Sequence, residues 1–300
     1  MKTKNKVIRV ALPAFVAGLN ILIVIYPAVA LSAAQRGLSL WFNSVMPGIL
    51  PFVIGANLLL ALGAANFLGI FLSPVMKRLF KTSGRGGFAL AMGLISGYPV
   101  GAKIVSEMRS KGELGKVEAQ RLLGFTNNAG PLFILGAVAA GMFGSVALGY
   151  FLLAAHYIGA LSVGLIMRIY GAKHDKRPQK ENLQPIAVFS RPKESFGHIL
   201  GGAVKNAMET MLIVGGFMML FSVVSALLGQ ILPLNSQTHS AIFSGIIEMT
   251  NGIGSLSEQG TSRIIVAAVA ALLSFGGLSI LFQSLNFISK TDLNTPIYIL

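Results

Sequence analysis

The sequence contains no cysteine. Disulfides and thiolate metal sites are therefore excluded. Acidic residues are scarce as well, with 10 Asp plus Glu against 24 Lys plus Arg in 300 residues. Histidine occurs four times, at His156, His174, His198 and His239, always singly. No HExxH or other paired spacing exists, so a zinc enzyme is not expected, and each lone histidine reads as a loop or packing residue. No Ser/His/Asp set and no paired carboxylates stand out, which argues against enzymatic activity, and no cofactor is implied. The glycine-rich SGRGG at 83–87 lacks the Lys-Ser/Thr ending of a phosphate loop and reads as a flexible turn. Charged residues make up only 11% of the chain, where a soluble domain carries roughly 25%.

What is present is apolar. Hydrophobic residues reach 54% and the mean hydropathy is +0.72, as in a polytopic membrane protein. The basic residues cluster in short loops between apolar runs, the pattern of a bilayer surface. No basic stripe with interleaved aromatics exists, so nucleic acid is not an expected partner. Apolar runs near 10–33, 45–72, 122–142, 147–169, 203–229 and 264–288 are each long enough to span. Two shorter, glycine-rich pieces near 86–102 and 241–255 are not. The stretch 171–197 is polar and proline-containing, a linker. The N-terminus, MKTKNKVIRV before a long apolar run, could open a signal peptide with Ala28-Val29-Ala30 as its cleavage site. The run from Val10 to about Ala34 exceeds a usual signal core and holds Asn20 and Pro27. It reads as an uncleaved first transmembrane helix.

Lys and Arg mark the cytoplasmic side of short loops. Lys2, Lys4, Lys6 and Arg9 place the N-terminus inside, and the first span exits near Arg36. The loop with Lys77, Arg78, Lys81 and Arg85 and the next, with Lys103, Arg109, Lys111, Lys116 and Arg121, are both basic. The piece 86–102 between them must dip into the membrane and return on the same side. By the same rule 241–255, with no basic residue, dips from outside. The expected fold class is thus an all-α polytopic membrane protein with two inverted-topology repeats, each holding a broken or re-entrant helix hairpin. The divisions are 1–37, an N-terminal transmembrane helix; 38–146, the first repeat; 147–198, a connecting helix and basic linker; 199–290, the second repeat; and 291–300, the start of a C-terminal segment. Inverted repeats with interrupted helices point to secondary transporters with a midplane site.

Three motifs could carry binding. In SGYPVGAK, Ser96, Gly97, Tyr98 and Pro99 break a helix. Backbone groups freed in hydrocarbon are tolerated only where protein or a wet cavity satisfies them. The helix resuming at Val100 would aim its amides inward, a partial positive charge suited to an anion, and Lys103 would add a full one. The bland alternative is a packing kink with Lys103 snorkelling to water. In FTNNAGPLF, Thr126, Asn127 and Asn128 offer donors and acceptors to a small polar ligand, or they bond between helices. In EMTNGIGS, Glu248 with Thr250 and Asn251, partnered by Ser274 near Gly276-Gly277, offers an intramembrane carboxyl; otherwise it is wet at the outer surface. Glu209 follows Lys205 by four residues and reads as its ion-pair partner.

GLISGYPVGAKIVSEM, VEAQRLLGFTNNAGPLFILGAVAAGMFG and AAHYIGALSVGLIMR resemble the YlbJ-type sporulation integral membrane proteins. That group carries the nucleoside-recognition (Gate) domain and is related in design to concentrative nucleoside transporters. The resemblance runs over roughly 38–290 and is most specific at 93–170. It implies a multi-pass protein with a cytoplasmic N-terminus, in the cell membrane or the outer forespore membrane of a sporulating bacterium. The implied role is moving dipicolinic acid, with the Gate motif on Ser96-Gly97-Tyr98-Pro99 and Thr126-Asn127-Asn128. A nucleoside-type carrier or a non-transporting envelope scaffold are the alternatives. The expected partners are the small-molecule solute and membrane lipid, with a homo-oligomer left open. Relatives of this type usually continue through further membrane helix beyond the closing TDLNTPIYIL.

Overall fold

A computed structural model describes residues 2–171, 195–232, 234 and 236–299, and most of the expected linker 171–197 lies outside them. The described residues form helices and connecting turns, with no strand among them. Helix α1 (Lys2–Ile25) ends at Tyr26, because Pro27 opens the next helix, where a missing N–H costs nothing. Helix α2 (Pro27–Leu40) then runs through a π-helical turn at Trp41–Val45 into α3 (Met46–Ala61), giving one helix of 35 residues.

This corrects the expected exit near Arg36. The polar residues there do not make a loop, because they bond along their own helix. Arg36 Nη1 donates to Ser32 Oγ and Asn43 Nδ2 to Ser39 Oγ. The chain turns instead at Gly63, whose φ of 79° suits only glycine comfortably. Helix α4 (Ala64–Val75) follows and widens into a π-helical turn at Met76–Phe80.

Then comes the pattern that builds the site. Helices α5 (Gly86–Ser96) and α6 (Val100–Ser110) pack on each other across a three-residue break, so they form a hairpin. Helix α7 (Lys116–Thr126) breaks at 127–130 and resumes as a π-helical segment, Phe133–Met142, that leads onward without folding back. After α8 (Val146–Met167) and α9 (Phe196–Ile231), the same order returns. Helices α10 (Gln237–Ile247) and α11 (Met249–Ser257) make a second hairpin, broken at Glu248. Helices α12 (Arg263–Phe275) and α13 (Gly277–Ile288) make a second interrupted helix, broken at Gly276, and α14 (Thr295–Ile299) closes the described chain.

The two sets interlock reciprocally. Helix α6 of the first hairpin packs on α13, and α11 of the second hairpin packs on the Phe133–Met142 segment. Beside them stands α9, 36 residues long, or about 54 Å at the helical rise. It packs along α2 and α3. Small residues allow that approach: the Trp41 indole lies against Gly215 and donates to the Met211 carbonyl at 2.9 Å. Among the described residues four helices are long and apolar enough to cross a membrane: Pro27–Ala61, α8, α9 and the interrupted α12–α13. Shorter apolar helices at Gly86–Ser96 and Phe133–Met142 belong to the broken elements.

Candidate functional site

All four breaks meet. Glycine makes this approach feasible at three places. The Thr126 carbonyl, the last of α7, is held between α5 and α6 where a Cβ at Gly93 or Gly101 would lie 1.8 or 2.0 Å from its oxygen. At the tips, Gly97 faces the Gly130 backbone nitrogen, where a Cβ would come within 2.7 Å. In the second set, Gly277 sits against the Gly245 carbonyl and the Met249 nitrogen.

Tyr98 joins the two sets. Its hydroxyl donates to the Leu273 carbonyl at 2.6 Å and approaches Met249 Sδ at 3.5 Å. Leu273 lies in the last turn of α12, where carbonyls have no partner inside their own helix. A side chain from the first break therefore satisfies a group left over by the fourth.

Between these tips lies a cavity of about 40 Å³. Its polar lining comes from Ser96, Tyr98, Glu248, Thr250 and Gln283, with the backbone of Gly97 and Gly130. Val214 and Met218 of α9 and Ile49 of α3 supply apolar wall. One water needs about 10–15 Å³, so the cavity suits a few waters. The Ser96 hydroxyl is buried without a partner among the described residues. Glu248 is 2% exposed. One of its carboxylate oxygens accepts the Asn251 N–H at 2.9 Å and so caps α11. Among the described residues no basic side chain forms a salt bridge with Glu248, and none lines this cavity.

The sequence-predicted residues divide by place. Ser96, Gly97, Tyr98, Glu248 and Thr250 come together at the cavity. Pro99 caps the start of α6 beside it. Asn127 is spent on structure: its Oδ1 accepts the Ala102 N–H at 3.3 Å, and its Nδ2 donates to Ser284 Oγ and the Tyr298 hydroxyl at 2.9 and 2.7 Å. Asn128 donates to the Phe125 carbonyl, and Thr126 is fully buried with its hydroxyl unpartnered. Asn251 donates to Ser222 Oγ of α9. Ser274 faces outward and bonds to the Ala270 carbonyl of its own helix, so it does not join the others.

The expected anion cradle at the start of α6 is also corrected. The Val100 amide bonds to the Gly97 carbonyl, the Ala102 amide to Asn127 and the Lys103 amide to the Pro99 carbonyl. Lys103 itself points away from the cavity. Its Nζ donates to Thr210 Oγ1 at 2.9 Å and Asn57 Oδ1 at 3.3 Å, with Glu107 3.8 Å away. Glu209, expected to pair with Lys205, faces the space around Lys103 instead.

Four contributors escaped the sequence reading. Gln283 lines the cavity, and its one signal was a polar residue within the apolar run GLSILFQSL. His156 accepts the Ala129 N–H on Nε2 at 2.9 Å and so supports the 127–130 break, which fixes its proton on Nδ1. Thr210 and Asn57 hold Lys103 from helices remote in sequence.

No protein-family model and no solved structure matches the chain. Among curated proteins it is similar to the sporulation integral membrane protein YlbJ of Bacillus subtilis (strain 168). The two are 35% identical over 317 aligned residues, spanning 96% of this chain and 78% of that protein. The chain therefore belongs to the YlbJ family of sporulation integral membrane proteins.

Proposed function

We propose that the protein is a membrane transporter for a small polar solute, working by binding and release without covalent chemistry. The observation that carries the reading is the meeting of four helix breaks around one polar cavity walled by spanning helices. Broken backbone at membrane depth is costly unless it lines a cavity or is buried in protein. Four such breaks converging on one cavity are more than packing requires. The hairpin-then-interrupted-helix order, used twice with reciprocal contacts, supports two inverted repeats at 38–146 and 199–290 that rock about the cavity. The 40 Å³ cavity is too small for an aromatic dicarboxylate, so this arrangement corresponds to a closed stage of the cycle.

Within this reading the solute is an anion, dipicolinate during sporulation, carried across the outer forespore membrane with the N-terminus in the cytoplasm. The family membership supports a sporulation role, and the basic balance of the chain favours an anionic cargo. One observation favours a second reading. Among the described residues the only charged side chain lining the central cavity is Glu248, which suits a neutral, nucleoside-like solute without further conditions. An anion can share that space only when Glu248 is protonated, because like charges at contact distance repel.

Reconstituted vesicles decide between them. With the full chain inserted, uptake of labelled dipicolinate and of a labelled nucleoside is compared with protein-free vesicles. The anion reading expects dipicolinate uptake that rises as pH falls, and a Glu248→Gln variant whose uptake no longer follows pH. Nucleoside uptake insensitive to that substitution supports the second reading. If neither solute enters faster than through bare lipid, the transport reading fails and an envelope scaffold remains.

A further inference from the structure

A larger cavity, about 320 Å³, lies between α6, α9 and α13. Its lining includes Lys103 and Ser106 of α6, Lys111 just past it, Glu209 and Thr210 of α9, and Lys290 just past α13. Helices α9 and α13 line the central cavity too, with neighbouring residues, and the first hairpin reaches it through its tip. On α9, Asn206 to Ile213 border the large cavity, while Val214 and Met218 border the central one. On α13, Phe287 borders the large cavity, while Ile280 and Gln283 border the central one. In the first hairpin, Lys103 to Lys111 border the large cavity, and Ser96 to Tyr98 the central one. The two spaces therefore follow one another along a single path toward the basic face.

We infer that the large cavity is a capture site for a small carboxylate, from which the solute passes to the break-lined centre. The size is that of a small-ligand pocket. Lys103 is 5% exposed, and both groups its ammonium donates to, Thr210 and Asn57, are neutral. Its anionic neighbours are the half-exposed Glu107, at 3.8 Å, and Glu209 across the cavity. Ser106, 4% exposed, has a hydroxyl with no partner among the described residues, a donor ready for an oxygen ligand. Lys111 and Lys290 stand at the outer rim, Lys290 over the Phe287 ring at 6.0 Å. Three lysines face two glutamates, Glu107 and Glu209. An arriving carboxylate would meet the rim lysines, then the buried ammonium and Ser106. This assignment rests on the transport reading for its direction of flow, but not for the binding itself.

The test uses the full chain with Lys111→Gln and Lys290→Gln combined, both at exposed positions that the fold does not need, and separately Ser106→Ala. Dipicolinate is the probe. Calorimetric titration in detergent is expected to show at least fivefold weaker binding in the double variant, with uptake in vesicles showing the same rise in KM at unchanged kcat. The difference between wild type and variant should shrink in 0.5 M salt. Unchanged affinity and KM in both variants overturn the site. Anionic lipid is the other source of a matching oxyanion. If mass spectrometry finds a co-purified acidic lipid lost from the double variant while dipicolinate affinity is unaltered, the cavity is a headgroup site and the inference falls. Wild-type protein that binds dipicolinate but carries none would leave the capture site standing and remove the transport reading, so the two fail separately.

Discussion

Replacing Tyr98 with Phe removes one hydroxyl and leaves the ring. That hydroxyl donates to the Leu273 carbonyl at 2.6 Å and is the direct bond between the first break and the fourth. A buried hydrogen bond contributes about 0.5–1.5 kcal/mol net, and an acceptor left dry costs about 1–3 kcal/mol. Which figure applies depends on water. Tyr98 lines the 40 Å³ cavity, larger than the roughly 10–15 Å³ one water needs, so a water can reach the carbonyl once the hydroxyl is gone. Interhelical bonds in membrane bundles average about 0.6 kcal/mol with a maximum near 1.7. The expected loss is accordingly about 0.6–1.5 kcal/mol, lowering Tm in detergent by about 1–4 °C for a chain of this size. Uptake should fall further than stability does, because the bond aligns the two halves around the cavity. The ring is 92% buried by the same measure that leaves Tyr98 8% exposed, so Tyr98→Ala should cost about 3–5 kcal/mol and serves as the upper reference. A Tyr98→Phe loss as large as the alanine variant's would refute the reasoning, since it would mean that no water reaches Leu273. An unchanged Tm together with unchanged uptake would refute the bridging role itself.

Two further perturbations follow from named contacts. A methyl group at Gly101 would sit 2.0 Å from the Thr126 carbonyl oxygen, a backbone atom that cannot rotate away. Gly101→Ala should therefore lose more than the roughly 1–3 kcal/mol of ordinary overpacking and yield little monodisperse protein. Gly216→Ala on α9, with nothing within 4 Å, should purify like wild type, and equal Tm values for the two would overturn the close-contact account. At the basic face, Arg109 donates twice to Asp292, at 2.9 Å each, and holds its carboxyl down to about 2 from the usual 3.8. A depressed carboxylate pKa gives stability that is present above about pH 3.8 and fades as pH falls through about 2. The pair is half exposed, so its effect is local and screened. Protection against hydrogen exchange over 291–299, taken relative to the intrinsic rate at each pH, should fall by about two- to fivefold at pH 2, and in Arg109→Gln at pH 7. Exchange that ignores both changes would show that Gln120, bonded to Asn294, secures the segment alone.

The breaks were legible in the sequence because their chemistry is local. Gly97, Pro99, Gly130, Pro131 and Gly276-Gly277 interrupt apolar runs by their own backbone preferences. Glu248 gave a weaker signal, an isolated carboxyl in an apolar piece, and it is the whole of the third break. The polar residues between 32 and 43 misled for the opposite reason. Serine, asparagine and arginine can satisfy themselves along a helix, and here they do, so polarity did not mark a turn.

The fate of Lys103 shows what local reasoning could not reach. Its nearest partner, Thr210, is 107 residues away, and Asn57 is 46 away, so nothing adjacent in sequence said which cavity it would face. The amides at the start of α6 followed the same logic. A broken helix leaves donors free only until the rest of the chain arrives, and Asn127, expected to read a solute, arrives first. Glu248 does the same at the start of α11 through the Asn251 amide. Each break is thus closed by residues within it or by those of another break, which keeps the centre small. Positive charge is displaced to the neighbouring cavity, one step along the same helices. If the protein carries an anion as proposed, that separation divides the work: attraction at the lysine-lined cavity, and passage past Glu248 at the centre.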